Sequence, residues 1–412
     1  MMAGFFSAVT TRSLKLLVPP QPQCWTCKLD KKCASPRMPI DGDGARKILI
    51  CGEGPGENED LVGRPFVGPA GDLLKQTLRR FKCELTRDCW IMNAIACRAS
   101  DAKGKNRQPT DKEIGYCRPT VVNAIKALKP ELVILLGKHA VKSVIGWLWK
   151  EDPGEVTKWV GWRIPNQQLN AWVAPVWHPS HVLRSAQRFN DKPDPLVLND
   201  FEKQLEWALK LKGRPWPDGP PDYKAMVRVE LDANKAAAAV RKMTAVGKPL
   251  AFDYETTTLK PDGAHAEIYS CSVSDGVISV AYPWHGEAIQ ATKEMLLSDS
   301  PKIGQHIQFE IRWSLAKLGV MPRNWKIDDM LASHVADNRR GITGAKFMTF
   351  ALLGGESYDD EIKPFLTSKG GGNSPNRIRE APLQKLLLYN GMDSLVEWHI
   401  AQKLAPKMGL KL

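Results

Sequence analysis

Four apolar segments separated by helical patterns constrain this chain more than any other feature. Residues 46–53 (RKILICGE), 88–95 (DCWIMNAI), 130–137 (PELVILLG) and 171–177 (AWVAPVW) read as buried strands. Residues 71–82, 111–128 and 138–148 carry apolar positions at helical spacing. Parallel strands need long crossovers, so this alternation predicts a parallel α/β sheet. Ligands of such sheets gather at the carboxyl ends of the strands. The turn GEGPG at 52–56, Asn93 and His178 all fall there.

The pattern then breaks and restarts. An amphipathic helix at 196–211 is followed by KGRPWPDGPPDYK at 212–224. Four prolines and two glycines in thirteen residues predict a stiff, extended linker. Beyond it come a strand (MVRVEL), a helix (ANKAAAAVRKMTAV), a strand (KPLAFDYE) and two more strands within 266–283. From about residue 290 the pattern reads as mainly helical, with GGG at 370–372 in a flexible loop. The expected organisation is a basic arm at 1–23, a first domain at 24–211, the linker, and a second domain at 225–412.

Composition narrows the function classes. With 412 residues, 43% of them hydrophobic and 25% charged, the chain is globular and long enough for two or three domains. No apolar run approaches the roughly 18 residues that span a membrane. The net charge of +13 fits a polyanionic partner, most simply nucleic acid. Eight of the nine cysteines lie within the first 117 residues. An odd count without a secretory signal argues against a disulfide framework and for a metal or iron–sulfur centre in a cytoplasmic protein.

The glycine turn invites a nucleotide-loop reading. Such a loop ends in Lys followed by Ser or Thr. Here the run continues as GENED, and acids repel phosphate.

GEGPGENEDLVGRPFVGPAGDLL at 52–74, NAIACR at 93–98, WHPSHVLR at 177–184, CWTC at 24–27 and Cys117 together resemble the family-four uracil-DNA glycosylases, which carry an iron–sulfur cluster. The resemblance covers about residues 20–210 and implies a three-layer glycosylase-like domain. It implies Phe66 as the ring that stacks on uracil, Asn93 as the reader of its imide edge, and His178 as the donor to the departing base. Glu53 and Gly54 line the same turn. Better-known relatives have an Asp where this chain has Gly54, so Glu53, Glu59 and Asn106 are the candidates for holding water. Val182 and Leu183 are expected to wedge into the duplex and Arg184 to meet phosphate. His181 stands where the family often has Tyr.

Cys24, Cys27, Cys97 and Cys117 match the family's four ligands of a 4Fe-4S cluster, with Cys33 as an extra candidate. Four thiolates also suit a tetrahedral zinc. Cys51, inside a strand, reads as packing. Cys83 and Cys89 carry no assigned role.

AFDYETTTL at 251–259, KIGQHIQFEIRW at 302–313 and YNGMDSLVEW at 389–398 resemble the three motifs of the DEDDy 3′–5′ exonucleases, closest to that domain of DNA polymerase I, with a ribonuclease H-like fold. Two magnesium or manganese ions held by carboxylates would cleave the phosphodiester. Asp253 and Glu255 alternate along a strand and share a face. Asp393 and Glu310 complete the expected set, and Tyr389, one helical turn before Asp393, would orient water. His306 and Glu310 depart from the usual Asn and Asp. The extra methylene of Glu310 would move a metal by about an ångström, an error that costs on the order of a hundredfold in rate. Asp328 resembles a structural position.

The expectation is a DNA-processing enzyme that excises uracil and trims 3′ ends. Its fusion resembles the front end of phage replicative polymerases, which implies a polymerase domain or subunit as partner, in a bacterial cytoplasm or a phage-infected one. The alternative is a first domain that only senses uracil or template.

Overall fold

The computed structural model describes residues 21–149, 152–185, 192–263, 265–368, 370 and 373–412. The expected basic arm lies outside these as far as residue 20, and the GGG loop does at 371 and 372. The chain divides into two compact units, Met1–Pro220 and Pro221–Leu412.

In the first unit, β1 (Ile48–Gly52), β2 (Cys89–Asn93), β3 (Leu132–Leu136), β4 (Ile164–Asn166) and β5 (Ala171–Val176) form one sheet in the order β2-β1-β3-β5-β4. β1 and β3 are buried at every residue, as expected of central strands covered on both faces. β2, β1, β3 and β5 are mutually parallel. β4 pairs antiparallel with β5, so the sheet is mixed rather than wholly parallel. Three residues are too few to show alternation, and the central Pro165 suits an edge strand. The register aligns Gly52 with Asn93, Cys51 with Leu135, and Leu135 with Pro175. All four parallel strands therefore end at one level, and whatever follows each of them meets the others.

The helices of this unit that matter for function are α1 (Cys24–Cys27), α2 (Glu57–Val62), α3 (Pro69–Arg80), α4 (Asp111–Leu128), α5 (Gly137–Leu148) and α6 (Pro179–Ser185). Thr110 caps α4, accepting from Glu113 N–H at 3.2 Å while Glu113 accepts from Thr110 N–H at 2.8 Å.

The proline-rich segment is not a free spacer at its start. Arg214 donates to the carbonyls of Asn170 and Lys129, and Asn170 donates to that of Trp216.

The second unit is built on six strands: β6 (Val227–Val229), β7 (Leu250–Thr256), β8 (Ile268–Ser274), β9 (Ser279–Pro283), β10 (Lys302–Gly304) and β11 (Trp325–Asp328), in the order β11-β10-β7-β8-β9-β6. β7, β8 and β9 form an antiparallel meander, with the flanking strands parallel to their neighbours. This is the mixed α/β sheet expected of the exonuclease-like half. β10 and β11 fall in the stretch expected to be helical. At three and four residues they are too short for period-two alternation to register.

Three further helices carry site residues: α7 (Gln308–Leu318), α8 (Ala345–Leu353) and α9 (Leu383–Leu404). α9 lies on the sheet at Gly391, where a Cβ would come within 2.4 Å of Val227 Cγ1. The missing side chain lets the helix backbone descend onto β6 and β9.

Candidate functional site

Polar side chains gather in both units. In the first unit they meet where β1, β2, β3 and β5 end together. Asn93 closes β2, Glu53 follows β1, Gly137 and His139 follow β3, and His178 follows β5.

Gly52 is the pivot. A Cβ there would lie 2.5 Å from Asn93 Oδ1 and 2.6 Å from Phe66 Cζ, so both side chains close over its bare backbone. Phe66 is buried and has φ of +56°, a strained conformation for an aromatic residue. The loop carrying it is accommodated only because residue 71 is glycine: a Cβ there would sit 2.0 Å from the Phe66 carbonyl oxygen. The rings of Phe66 and His178 face each other with centroids 6.4 Å apart and planes at 28°.

His178 has a defined tautomer. Its Nδ1 accepts from the Ser180 N–H at 3.1 Å and lies 2.7 Å from Ser180 Oγ, which in turn accepts from Arg184. Nδ1 is therefore the acceptor, and the proton of the neutral ring resides on Nε2. Burial, opposed by Glu53 and reinforced by Arg184 and His139, pulls its pKa down to about 4. The side chain keeps some surface, but its surroundings are packed, and neutrality at physiological pH follows.

Glu53 is partly buried. Burial raises its pKa, but the His139 contact and the charges of His139, His178 and Arg184 outweigh it, and the net shift is downward. His139 Nδ1 lies 2.8 Å from Glu53 Oε2, an ion-pair distance without hydrogen-bond alignment.

The other expected residues separate. A Cβ at Gly54 would meet Ile95 Cγ1 at 2.8 Å, so the space a longer side chain would use is filled by Ile95. Glu59 accepts from the N–H groups of Gly56, Val67 and Gly68 at 3.1, 3.0 and 2.8 Å. Its carboxylate is the internal anion of the glycine turn, which leaves the turn's donors closed to phosphate and the acid itself unfree to hold water. Asn106 is exposed and accepts from Arg98 at 2.6 Å. Val182 is fully buried in the core under β5, which overturns its expected role as a wedge. On α6, Leu183 is half-buried and Arg184 exposed.

Cys24, Cys27, Cys97 and Cys117 line one recess with Leu29 and Ile95. Cys97 Sγ accepts from Arg37 N–H at 3.2 Å and Cys117 Sγ from Ala96 N–H at 3.3 Å, donors that suit thiolates. Burial pushes Cys97 up to about 12 and raises Cys27 and Cys117. A metal must therefore displace protons to bind. A single tetrahedral zinc would draw sulfurs to about 3.8 Å from one another, given Zn–S bonds of about 2.3 Å. No three of these sulfurs lie within even 4.8 Å of one another. The recess fits a larger group, such as an iron–sulfur cluster, better than one zinc ion. Cys33 packs beside it without lining it. Cys51 is buried, and Cys83 and Cys89 are buried with sulfurs 3.7 Å apart.

In the second unit, Asp253 and Glu255 on β7 and Asp393 on α9 bring carboxylate oxygens within 4.8 Å of one another. Burial first, then mutual repulsion, pushes Asp253 and Glu255 well above the carboxylate range. Asn390 holds Asp253 in place: its Nδ2 donates to Asp253 Oδ2 at 2.7 Å, and its Oδ1 accepts from Ser270 at 2.9 Å. Lys346 of α8 pairs with Asp393, and Tyr358 donates to the same oxygen at 2.5 Å. The Lys346 ammonium stands 3.7 Å from the Tyr358 ring centroid and 4.5 Å from that of Tyr389.

Glu310 does not join this group. It is buried on α7 with Oε2 unpartnered, and burial raises its pKa strongly. Glu397, one turn beyond Asp393, is likewise buried with Oε2 unpartnered. Asp328 accepts from the N–H groups of His306, Ile307, Met330 and Leu331, a structural role.

Sequence reading missed Lys346, Tyr358, Asn390 and His139. Asn390 lies inside the YNGMD motif and Glu397 at helical spacing from Asp393, so both had a local signal. His139, Lys346 and Tyr358 had none.

Comparison with known proteins follows this division. Residues 39–202 match the uracil DNA glycosylase superfamily, and residues 226–409 a 3′–5′ exonuclease family. The first half is similar to the type-4 uracil-DNA glycosylase of Saccharolobus solfataricus, 32% identical over 207 residues, covering 48% of this chain and 88% of that protein. The enzyme of that name from Sulfurisphaera tokodaii is 32% identical over 194 residues, covering 46% of this chain and 82% of that protein. Among solved structures, Escherichia coli RNase D aligns with 44% of this chain at 15% identity and a TM-score of 0.34, and Brucella melitensis NrnC with 39% at 20% identity and 0.31. The alignments span 45% of the RNase D chain and 75% of the NrnC chain.

Proposed function

The chain belongs to the type-4 uracil-DNA glycosylases through its first half and carries a 3′–5′ exonuclease region in its second, and on that premise we propose that it excises uracil from DNA and hydrolyses 3′-terminal nucleotides. The observation that carries the first activity is the interlock at Gly52, where Asn93 and Phe66 close together beneath the neutral His178.

In this reading Phe66 stacks on the extruded base, and Asn93 pairs with its imide edge. The C1′–N1 bond breaks with its electrons moving onto uracil, and the His178 Nε2–H stabilises the charge on the departing base. Glu53 faces the positive charge left on the sugar and holds the water that adds to C1′, whose proton passes to the Glu53 carboxylate. The four lining cysteines would hold a 4Fe-4S cluster, which when bound ties α1 and α4 to the segment after β2 without touching the chemistry. Leu183 and Arg184 contact the DNA.

In the second unit Asp253, Glu255 and Asp393 would hold magnesium or manganese, which when bound supplies an activated water and a stabilised leaving oxygen. Tyr389 orients that water, and Asn390 keeps Asp253 in place. An intracellular role beside a polymerase of the DNA polymerase I type, as proofreader, follows from the pairing of activities. None of the helices in the described residues is long and apolar enough to cross a membrane.

Excision from a labelled single-stranded uracil oligonucleotide in EDTA, revealed by alkaline cleavage, tests the first activity, since EDTA silences a metal-dependent nuclease. Cleavage at uracil alone, lost in Asn93→Ala, is expected. No cleavage with the visible absorbance of the cluster intact would leave a uracil sensor beside an exonuclease.

A further inference from the structure

We infer that His139 is a positioning residue for uracil excision: from the first turn of α5 it holds the Glu53 carboxylate in place at the mouth of the pocket. This rests on the glycosylase reading of the first unit.

The juxtaposition is set by the sheet. β1 and β3 are adjacent and parallel, with Cys51 opposite Leu135. Glu53 and Gly137, each two residues further on, therefore leave the sheet side by side. α5 starts at Gly137, and its third residue is His139. That side chain is 6% exposed, and its Nδ1 approaches Glu53 Oε2 at 2.8 Å. No hydrogen bond engages that nitrogen elsewhere.

The same turn of α5 also abuts the other reacting group. Gly137 has φ of +80°, and a Cβ on it would lie 2.8 Å from His178 Cβ. One turn of helix thus locates the donor to the leaving base through Gly137 and the carboxylate through His139.

The chemistry needs this. With Ile95 filling the space beside Gly54, Glu59 consumed by three backbone donors and Asn106 engaged by Arg98, Glu53 is the one of the three water-holding candidates that still faces the pocket residues. A glutamate has three rotatable side-chain bonds, and one that wanders wastes the orientation on which the water's attack depends. The groups facing Glu53 are the imidazoles of His139 from α5 and His178 after β5 and the guanidinium of Arg184 from α6, and together they favour its ionised form against burial. A buried imidazole that only filled space would be replaceable by leucine.

The test is single-turnover excision in EDTA by the full-length protein and its His139→Leu, His139→Asn, Glu53→Gln and His139→Leu/Glu53→Gln variants, with oligonucleotide affinity measured alongside. His139→Leu is expected to slow excision about 10–100-fold while affinity changes less than about twofold. Its acid limb should move to higher pH as Glu53 loses its partner. His139→Asn, whose amide nitrogen falls near the Nδ1 position, should recover most of the rate. In the Glu53→Gln background the leucine change should add less than about threefold, because the pair acts as a unit. A leucine variant as fast as the wild type, or one with an undiminished effect in the Glu53→Gln background, overturns the inference. Should the leucine variant not fold, His139→Gln, whose nitrogen reaches the Nε2 position instead, must be slower than His139→Asn, and equality overturns the inference. A folded wild type that does not excise at all brings down the glycosylase reading, and this inference with it.

Discussion

The two sites solve the problem of buried charge in opposite ways. At the ends of β1, β2, β3 and β5, protein groups answer one another: Glu53 meets His139, His178 Nδ1 is engaged by Ser180, and Glu59 is saturated by backbone N–H groups. In the second unit three carboxylates crowd within 4.8 Å and face one ammonium, that of Lys346, while Glu310 and Glu397 lie buried with unpartnered oxygens. In the first arrangement the carboxylates have protein partners. The second is an excess of negative charge that divalent cations would balance.

That contrast can be broken most sharply by removing one group from each site. Asp253→Ala should reduce metal-dependent 3′ trimming by on the order of a thousandfold or more and leave excision in EDTA unchanged. Loss of both activities would refute independent sites. His178→Ala should do the converse, lowering excision by about a hundred- to a thousandfold with trimming intact. Both are read on one labelled oligonucleotide with an internal uracil.

A smaller effect sharpens the comparison of charge balance. At about a hundred times its dissociation constant, a bound ion stabilises by about 2.7 kcal/mol. For a unit of this size that is a rise of about 5–10 °C in the melting transition of the second unit, followed by calorimetry in magnesium against EDTA. The transition of the first unit should not move.

The last effect is acidic. His178 sits at about 4 in the fold against about 6.5 in an unfolded chain. Between those values the unfolded chain binds the extra proton, so stability of the first unit is complete above about pH 6.5 and declines as pH falls toward about 4. In denaturant melts across that range the wild type should lose stability relative to His178→Phe as pH falls. If the difference between them is constant with pH, the histidine is not held neutral by the fold.

Much of both sites was legible in the chain. Asn93, His178 and Glu53 each follow a run of buried strand residues, so their shared level is a consequence of parallel register. The alternation of Asp253 and Glu255 on β7 and the turn between Tyr389 and Asp393 on α9 are local periodicities. Val182 misled because an apolar residue in an exposed-looking motif has two faces available, and only the packing of α6 shows that this one turns inward.

What the sequence by itself determined are the elements whose signal repeats at short range: the four parallel strands and their helices, the Cys24–Cys27 pair, and the carboxylates that share a strand or a helical turn. What only the tertiary structure decided are the partnerships between groups remote in the chain. His139 meets Glu53 because β1 and β3 are neighbours, and Lys346 and Tyr358 meet Asp393 because separate segments converge there. Periodicity is enforced by the geometry of one backbone segment, whereas a contact between segments depends on strand order, register and the small residues that let helices approach, and no local pattern encodes those.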